Sequence, residues 1–401
     1  MKRRWLHIAV LASLLVPISS AVVAQETTGI QTLLDERVAA VVEGDEDRFI
    51  ATLDPSQPEF VERQRLLFKG MHSLDISGYS LKVELEDLPD LVREVDHDKY
   101  KAPVSIRWVK EHFSLDGFDQ ERAINDLFFT FVKRPKGWLI ASDTDVEDLG
   151  LLSSRTIWDF GEVATHASEH FLVLSHPDFA DKAKELPGIA EKALARVGKA
   201  WNGEWIKKVP LVVPSSSAEL DRMTGGTVDV DKFVAFASYS VERDVPDLYQ
   251  AVGYRVVVNP ARFFSSSAEL TLAHELVHIA TRPASGPLIP IFLDEGLAQL
   301  SEIGDVAAVT RRAKSVGDGD LPEDHEFVSG TQRSINSAYD EALSAMLFLR
   351  ELKGPGSVEA LYRALGKAQG LGGTAEYHLD RALRETTGMS LGAFEEAWKK
   401  W

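Results

Sequence analysis

Leu33, Leu34, Val38 and Val41 set one apolar stripe at helical spacing along 30–42, and 48–53 continues it beyond an acidic turn. A further helix is predicted over 60–71. The period then drops from 3.6 to two. Segments 79–85, 104–108, 126–132 and 138–141 read as four strands, with Arg134-Pro-Lys-Gly137 turning between the last pair. Helices followed by an antiparallel meander predict an α+β unit. The chain becomes acidic and polar around 143–154, which marks a boundary. Beyond it the pattern predicts a helix near 187–201, a strand at 209–213 and a helix from Ala218, started by a Ser-rich turn. Strands at 233–239 and 254–258 follow. From Ser266 the pattern is almost wholly helical, with Gly/Asp-rich 316–320 as the longest loop.

At 401 residues, two or three structural units are expected. The 44% hydrophobic and 26% charged composition is that of a globular protein and excludes disordered, collagenous and polytopic membrane classes. The formal net charge is −18, so a nucleic-acid partner is not expected. With no cysteine, disulfides, thiol catalysis, Cys-ligated zinc, iron–sulfur clusters and lipid attachment through Cys are excluded.

The first 24 residues carry an address. Lys2, Arg3 and Arg4 precede an apolar run from Trp5 to Val16, then Pro17 and small residues, with Val22 and Ala24 at −3 and −1 of a cut before Gln25. That order predicts a secretory signal peptide over 1–24 and an exported chain without stable membrane insertion. An uncleaved anchor is the competing reading, because 6–23 is near the lower spanning limit; Pro17 and the cut-like triplet argue against it.

One constellation carries chemistry. Ser266-Ser-Ala-Glu269 reads as a capping box opening a helix that ends near Pro283. On it lies His274-Glu-Leu-Val-His278, two histidines one turn apart on one face, as two ligands of one ion require. Glu275 is offset by about 100°, so it can border the ion without binding it. Leu270, Leu272, Ala273, Val277, Ile279 and Ala280 make this helix apolar nearly all round, and two imidazoles and a carboxylate buried there are costly unless a cation satisfies them. With 11 histidines in the chain, the pentapeptide arises by accident in roughly one such chain in forty. A catalytic zinc needs a third protein ligand. Thr281 and Ala284 stand where the metzincin pattern needs Gly and His. Glu295, in Leu293-Asp-Glu-Gly-Leu-Ala298 after a turn containing Pro283, Pro287 and Pro290, can supply it from a second helix.

The motif pair resembles the gluzincin metallopeptidases, most closely the peptidase MA-like families. Tyr254-Arg-Val-Val-Val-Asn-Pro260 is similar to the strand that precedes the metal helix there, and the resemblance covers about 156–401. It implies a zincin-type domain (155–401) with a small sheet and a mostly helical C-terminal half. It also implies one zinc held by His274, His278 and Glu295, and Glu275 as the acid/base that activates the zinc-bound water for peptide hydrolysis. Glu302, two turns beyond Glu295, is implied as a support for a ligand histidine, and Tyr339 as the oxyanion donor; core packing is the bland reading of that tyrosine. Asp294 is read as a helix cap rather than a ligand partner. Strand 255–258 is either an edge that adds an extended peptide substrate or an ordinary buried strand. A Gly-rich exopeptidase motif upstream of the helix is absent, which favours an endopeptidase. A non-catalytic binding protein that keeps the peptidase fold is the alternative; so is a chain in which the first unit does the biological work. That first unit, 28–150, resembles the cone-shaped nuclear transport factor 2-like (SnoaL-like) domains, which serve as pockets, adaptors or dimerisation modules.

Overall fold

The computed structural model describes residues 20–84, 97–226, 229–245, 248–265, 267–314, 316, 320–368 and 372–401. The apolar run of the signal-like segment and most of the Gly/Asp-rich loop lie outside them. The fold is mixed α+β. Helices α1 (Ser20–Glu43), α2 (Glu46–Ala51) and α3 (Pro58–His72) precede β1 (Ile76–Val83), β2 (Val104–Leu115), β3 (Ala123–Arg134) and β4 (Gly137–Ser142). These four strands form an antiparallel sheet in chain order. The Arg134–Gly137 pair closes the β3–β4 hairpin where the Pro-Lys turn was expected. Ile30, Leu34 and Phe60 on the helices meet Leu81, Val109, Leu127, Phe129, Phe131 and Ile140 on the sheet. The two periods read from the sequence are the two faces of this packing.

The second half contributes β5 (Ala164–Ala167), β6 (Phe171–Ser175), α4 (Ala180–Ala183), α5 (Leu186–Val197), β7 (Val209–Val213), α6 (Ser217–Met223), β8 (Ala235–Val245) and β9 (Leu248–Val258). The sheet order is β5-β6-β7-β9-β8; β6, β7 and β9 are parallel, and the two outer strands antiparallel. Helices α7 (Ala268–Thr281), α8 (Ile291–Glu302), α9 (Val306–Ala313), α10 (Asp324–Val328), α11 (Gln332–Lys353), α12 (Ser357–Gly366), α13 (Ala375–Thr387) and α14 (Leu391–Trp398) complete the chain. Val256 pairs with both Leu211 and Ala237, so 255–258 lies inside the sheet. The edge beside α7 is β8 instead.

The two halves share apolar surface. Phe68, Met71, Phe113 and Ala123 of the first pack in one cluster with Ile157, Trp158, Leu174, Val212, Leu220 and Val257 of the second. Gly253 sits at this junction with φ +62°; a Cβ there would come 2.5 Å from that of Ala123. Asp119 and Arg255 close the contact as a bidentate ion pair at 2.5 and 2.7 Å. The segments before and after 143–154, the expected polar boundary, thus share one apolar cluster.

Candidate metal centre

Helix α7 is buried along Leu272, Ala273, Leu276, Val277, Ile279 and Ala280, which packs it between the sheet and the C-terminal helices. Ser266, which opens the expected capping box, lies outside the described residues. Ser267 is the N-cap and makes no side-chain cap bond, while Glu269 accepts from Arg196 at 3.2 Å. The Pro-containing turn reverses the chain into α8. Gly296 permits close packing there, since a Cβ would meet Met346 at 2.7 Å and the Ala342 carbonyl oxygen at 2.8 Å. Tight seating of α8 on α11 directs the neighbouring Glu295 toward α7.

The three expected ligands converge. His274, His278 and Glu295 each offer one donor atom, all within 4.8 Å of one another. Glu295 Oε2 lies 3.0 Å from His274 Nε2 and 3.7 Å from His278 Nε2. The other imidazole nitrogens are already engaged: His274 Nδ1 donates to Glu302 at 2.7 Å, and His278 Nδ1 to Asp294 at 3.1 Å. With both Nδ1 atoms donating to carboxylates, both Nε2 atoms turn toward Glu295, where a proton or a cation between them and the carboxylate joins the three groups. Two nitrogens and one carboxylate oxygen suit zinc, and this donor set fits it.

Asp294 corrects the cap reading. The N-cap of α8 is Pro290, and Asp294, within the helix, also accepts from the Tyr362 hydroxyl at 2.8 Å. A carboxylate in the first turn does favour the helix dipole, but here geometry assigns the side chain to His278. Tyr362 is fully buried on α12 and was missed from the sequence.

Electrostatics follow from burial among acids. Burial alone would lower the His274 pKa, yet Glu295 and Glu302 outweigh it and raise it well above the usual imidazole range. His278 is opposed by burial in the same way, but Asp294 and Glu295 push it up to about 9. The site favours positive charge, supplied by protons or by a divalent cation. Glu275 is buried, and burial raises its carboxyl to about 6 against the pull of the two histidines. Its Oε2 accepts from the Ala237 backbone N–H at 2.9 Å, which ties the helix to the edge strand β8.

Tyr339 on α11 lies in the same cleft. Its ring meets Phe327 edge-on at 5.2 Å, and it lines one cavity with Glu275 and Glu295. Burial, then the charges of Glu295 and Glu275, raise the phenol pKa, so it stays a neutral donor. A cavity of about 520 Å³ opens on one side of Glu275, walled by Phe233, Phe327 and Ile335. Another of about 270 Å³ also borders Glu275 and reaches Tyr239, Arg282 and Tyr362. No protein-family model matches this chain, and no curated protein is significantly similar to it.

Proposed function

We propose that the protein is an exported zinc-dependent metallopeptidase, with 155–401 as a gluzincin-like, peptidase MA-like domain and 28–150 as a nuclear transport factor 2-like accessory unit. The observation that carries this reading is the pair of imidazoles turned by Glu302 and Asp294 so that both Nε2 atoms face Glu295, with Glu275 alongside. His274, His278 and Glu295 would hold one zinc, which when bound supplies Lewis acidity toward water and a carbonyl. Glu275 takes the proton of the attacking water and returns it to the leaving amine. The Ala237 N–H keeps one Glu275 oxygen fixed, leaving the other to handle the proton. Tyr339 donates to the carbonyl oxygen as negative charge develops there. An extended peptide or unfolded protein segment aligns along the outer edge of β8.

Two cavities border Glu275, with room for substrate residues beside it. Export rests on the basic–apolar–small order of residues 1–24. Among the described residues, no helix is long and apolar enough to cross a membrane. Zinc analysis of the purified chain combined with digestion of a peptide library tests the proposal. One zinc per chain and cleavage that stops on chelation are expected; a zinc-loaded chain that cuts no peptide refutes it.

A further inference from the structure

The helical stripe that carries the two histidines continues by one more residue. Arg282 follows His278 by four positions and keeps helical backbone angles, φ −52° and ψ −41°. Residues four apart on a helix lie about 6 Å from each other on one face, so Arg282 extends the His274–His278 line along the cleft. It lines the 270 Å³ cavity together with His278, Glu275 and Glu295.

Its guanidinium is held without being neutralised. It lies over the ring of Tyr239, 4.2 Å from the centroid, and that ring in turn meets Tyr254 at 6.2 Å. Among the described residues no carboxylate stands within ion-pair distance of it, in a chain with 62 acidic and 44 basic side chains. Stacking on a tyrosine orients the planar fork, and among the described residues no carboxylate pairs with its N–H donors. Tyr239 follows Ala237 by two on β8, and alternate residues of a strand share a face about 6.6 Å apart. The Arg282–Tyr239 pair therefore stands about two extended residues from the point where Glu275 meets the edge strand.

The geometry points to Arg282 as a specificity residue that receives a carboxylate of the substrate, so that the peptides cleaved carry an acidic group about two residues from the scissile bond. This rests on the peptidase reading for the identity of the ligand as a peptide. Two sources supply the group: an aspartate or glutamate side chain, or the C-terminal carboxylate of a short peptide. Either binds a guanidinium in the same bidentate manner. Arg282 touches neither the metal ligands nor the reacting atoms in this assignment; it selects and places the substrate.

The test uses the full zinc-loaded chain and matched octapeptides in which Glu, Gln or Lys is walked through every position, each made with a free and an amidated C-terminus. Dissociation constants are read by fluorescence polarisation on the Glu275→Gln form, and kcat/KM on the parent. At one position, Glu should bind and react about tenfold better than Gln, the size of one charge-assisted hydrogen bond. Should the terminal carboxylate be the partner, the tenfold difference falls between free and amidated peptides instead. Adding Arg282→Gln to either form should bring the ratio to about one, and Arg282→Glu should shift the preference to Lys. Equal binding of Glu, Gln and amidated peptides, or a Glu preference that survives Arg282→Gln, overturns the assignment. Absence of all cleavage sinks the peptidase reading alone, because the binding series still decides Arg282.

Discussion

His278 and Asp294 face each other across the α7–α8 turn, Nδ1 to Oδ2 at 3.1 Å, and Asp294 is braced from behind by the Tyr362 hydroxyl at 2.8 Å. The residue beside the expected ligand Glu295 thus fixes the tautomer and direction of another ligand. Removing such a support usually costs 10–100-fold in metal affinity. Asp294→Ala should therefore weaken zinc binding by about that factor, with Tyr362→Phe weaker in effect. Competition titration against a chelator measures both. Affinities equal to the parent's would make the contact incidental.

As the proposed oxyanion donor, Tyr339 would act on charge rather than on binding. Tyr339→Phe should lower kcat by roughly 10²-fold while KM changes little, as when one oxyanion donor is lost. Steady-state kinetics on one good peptide decide it; unchanged kcat would leave the tyrosine as packing against Phe327.

Asp119 and Arg255 tie the halves where Gly253 meets Ala123. Both side chains are largely buried, at 3% and 12% exposure. Breaking one partner should destabilise by about 3 kcal/mol, because it strands the other charge. Asp119→Leu with Arg255→Met should recover much of that loss. Urea denaturation of the four forms gives the coupling; additive losses would show that the pair does not act as a unit.

Glu111 lies buried on β2 and accepts from Asn125 at 2.8 Å. Burial raises its carboxyl from 4.5 to about 7, against the hydrogen bond from Asn125. A carboxyl whose folded pKa exceeds its unfolded one favours the fold only while protonated. Relative to Glu111→Gln, the parent should lose stability as pH rises from 4.5 to 7, by roughly 3 kcal/mol at most, and no further above that. Denaturation at pH 4.5 and 8 checks it; a stability difference that does not change with pH contradicts it.

The parts of the site that were legible in the sequence are those set by local geometry. His274 and His278 fall on one helical face whatever surrounds them, and Glu295 needs only a chain reversal to meet them. Glu302, two turns on, reaches His274 for the same reason. Asp294 was misread because its partner depends on how α8 is rotated against α7, which no single-helix pattern encodes. Tyr362 is 68 residues further along and arrives through helix packing alone. The alternation of 254–258 marked a strand but not its neighbours; pairing with both β7 and β8 is a non-local property. The four-strand meander was readable because each strand pairs with the next in the chain. The apolar cluster that joins the halves was not, since each of its members also suits a separate core.

In the proposed reaction Glu275 handles the proton beside a zinc held by His274, His278 and Glu295. The most direct measurement is hydrolysis of one peptide library by zinc-loaded parent and Glu275→Gln, with zinc quantified in both. One zinc per chain in each is expected, with cleavage by the parent and a loss of at least about 10³-fold in the variant, since shape and ligands persist while the proton acceptor is gone. A zinc-loaded parent that cuts nothing, or a variant that cuts at the parent rate, would contradict it.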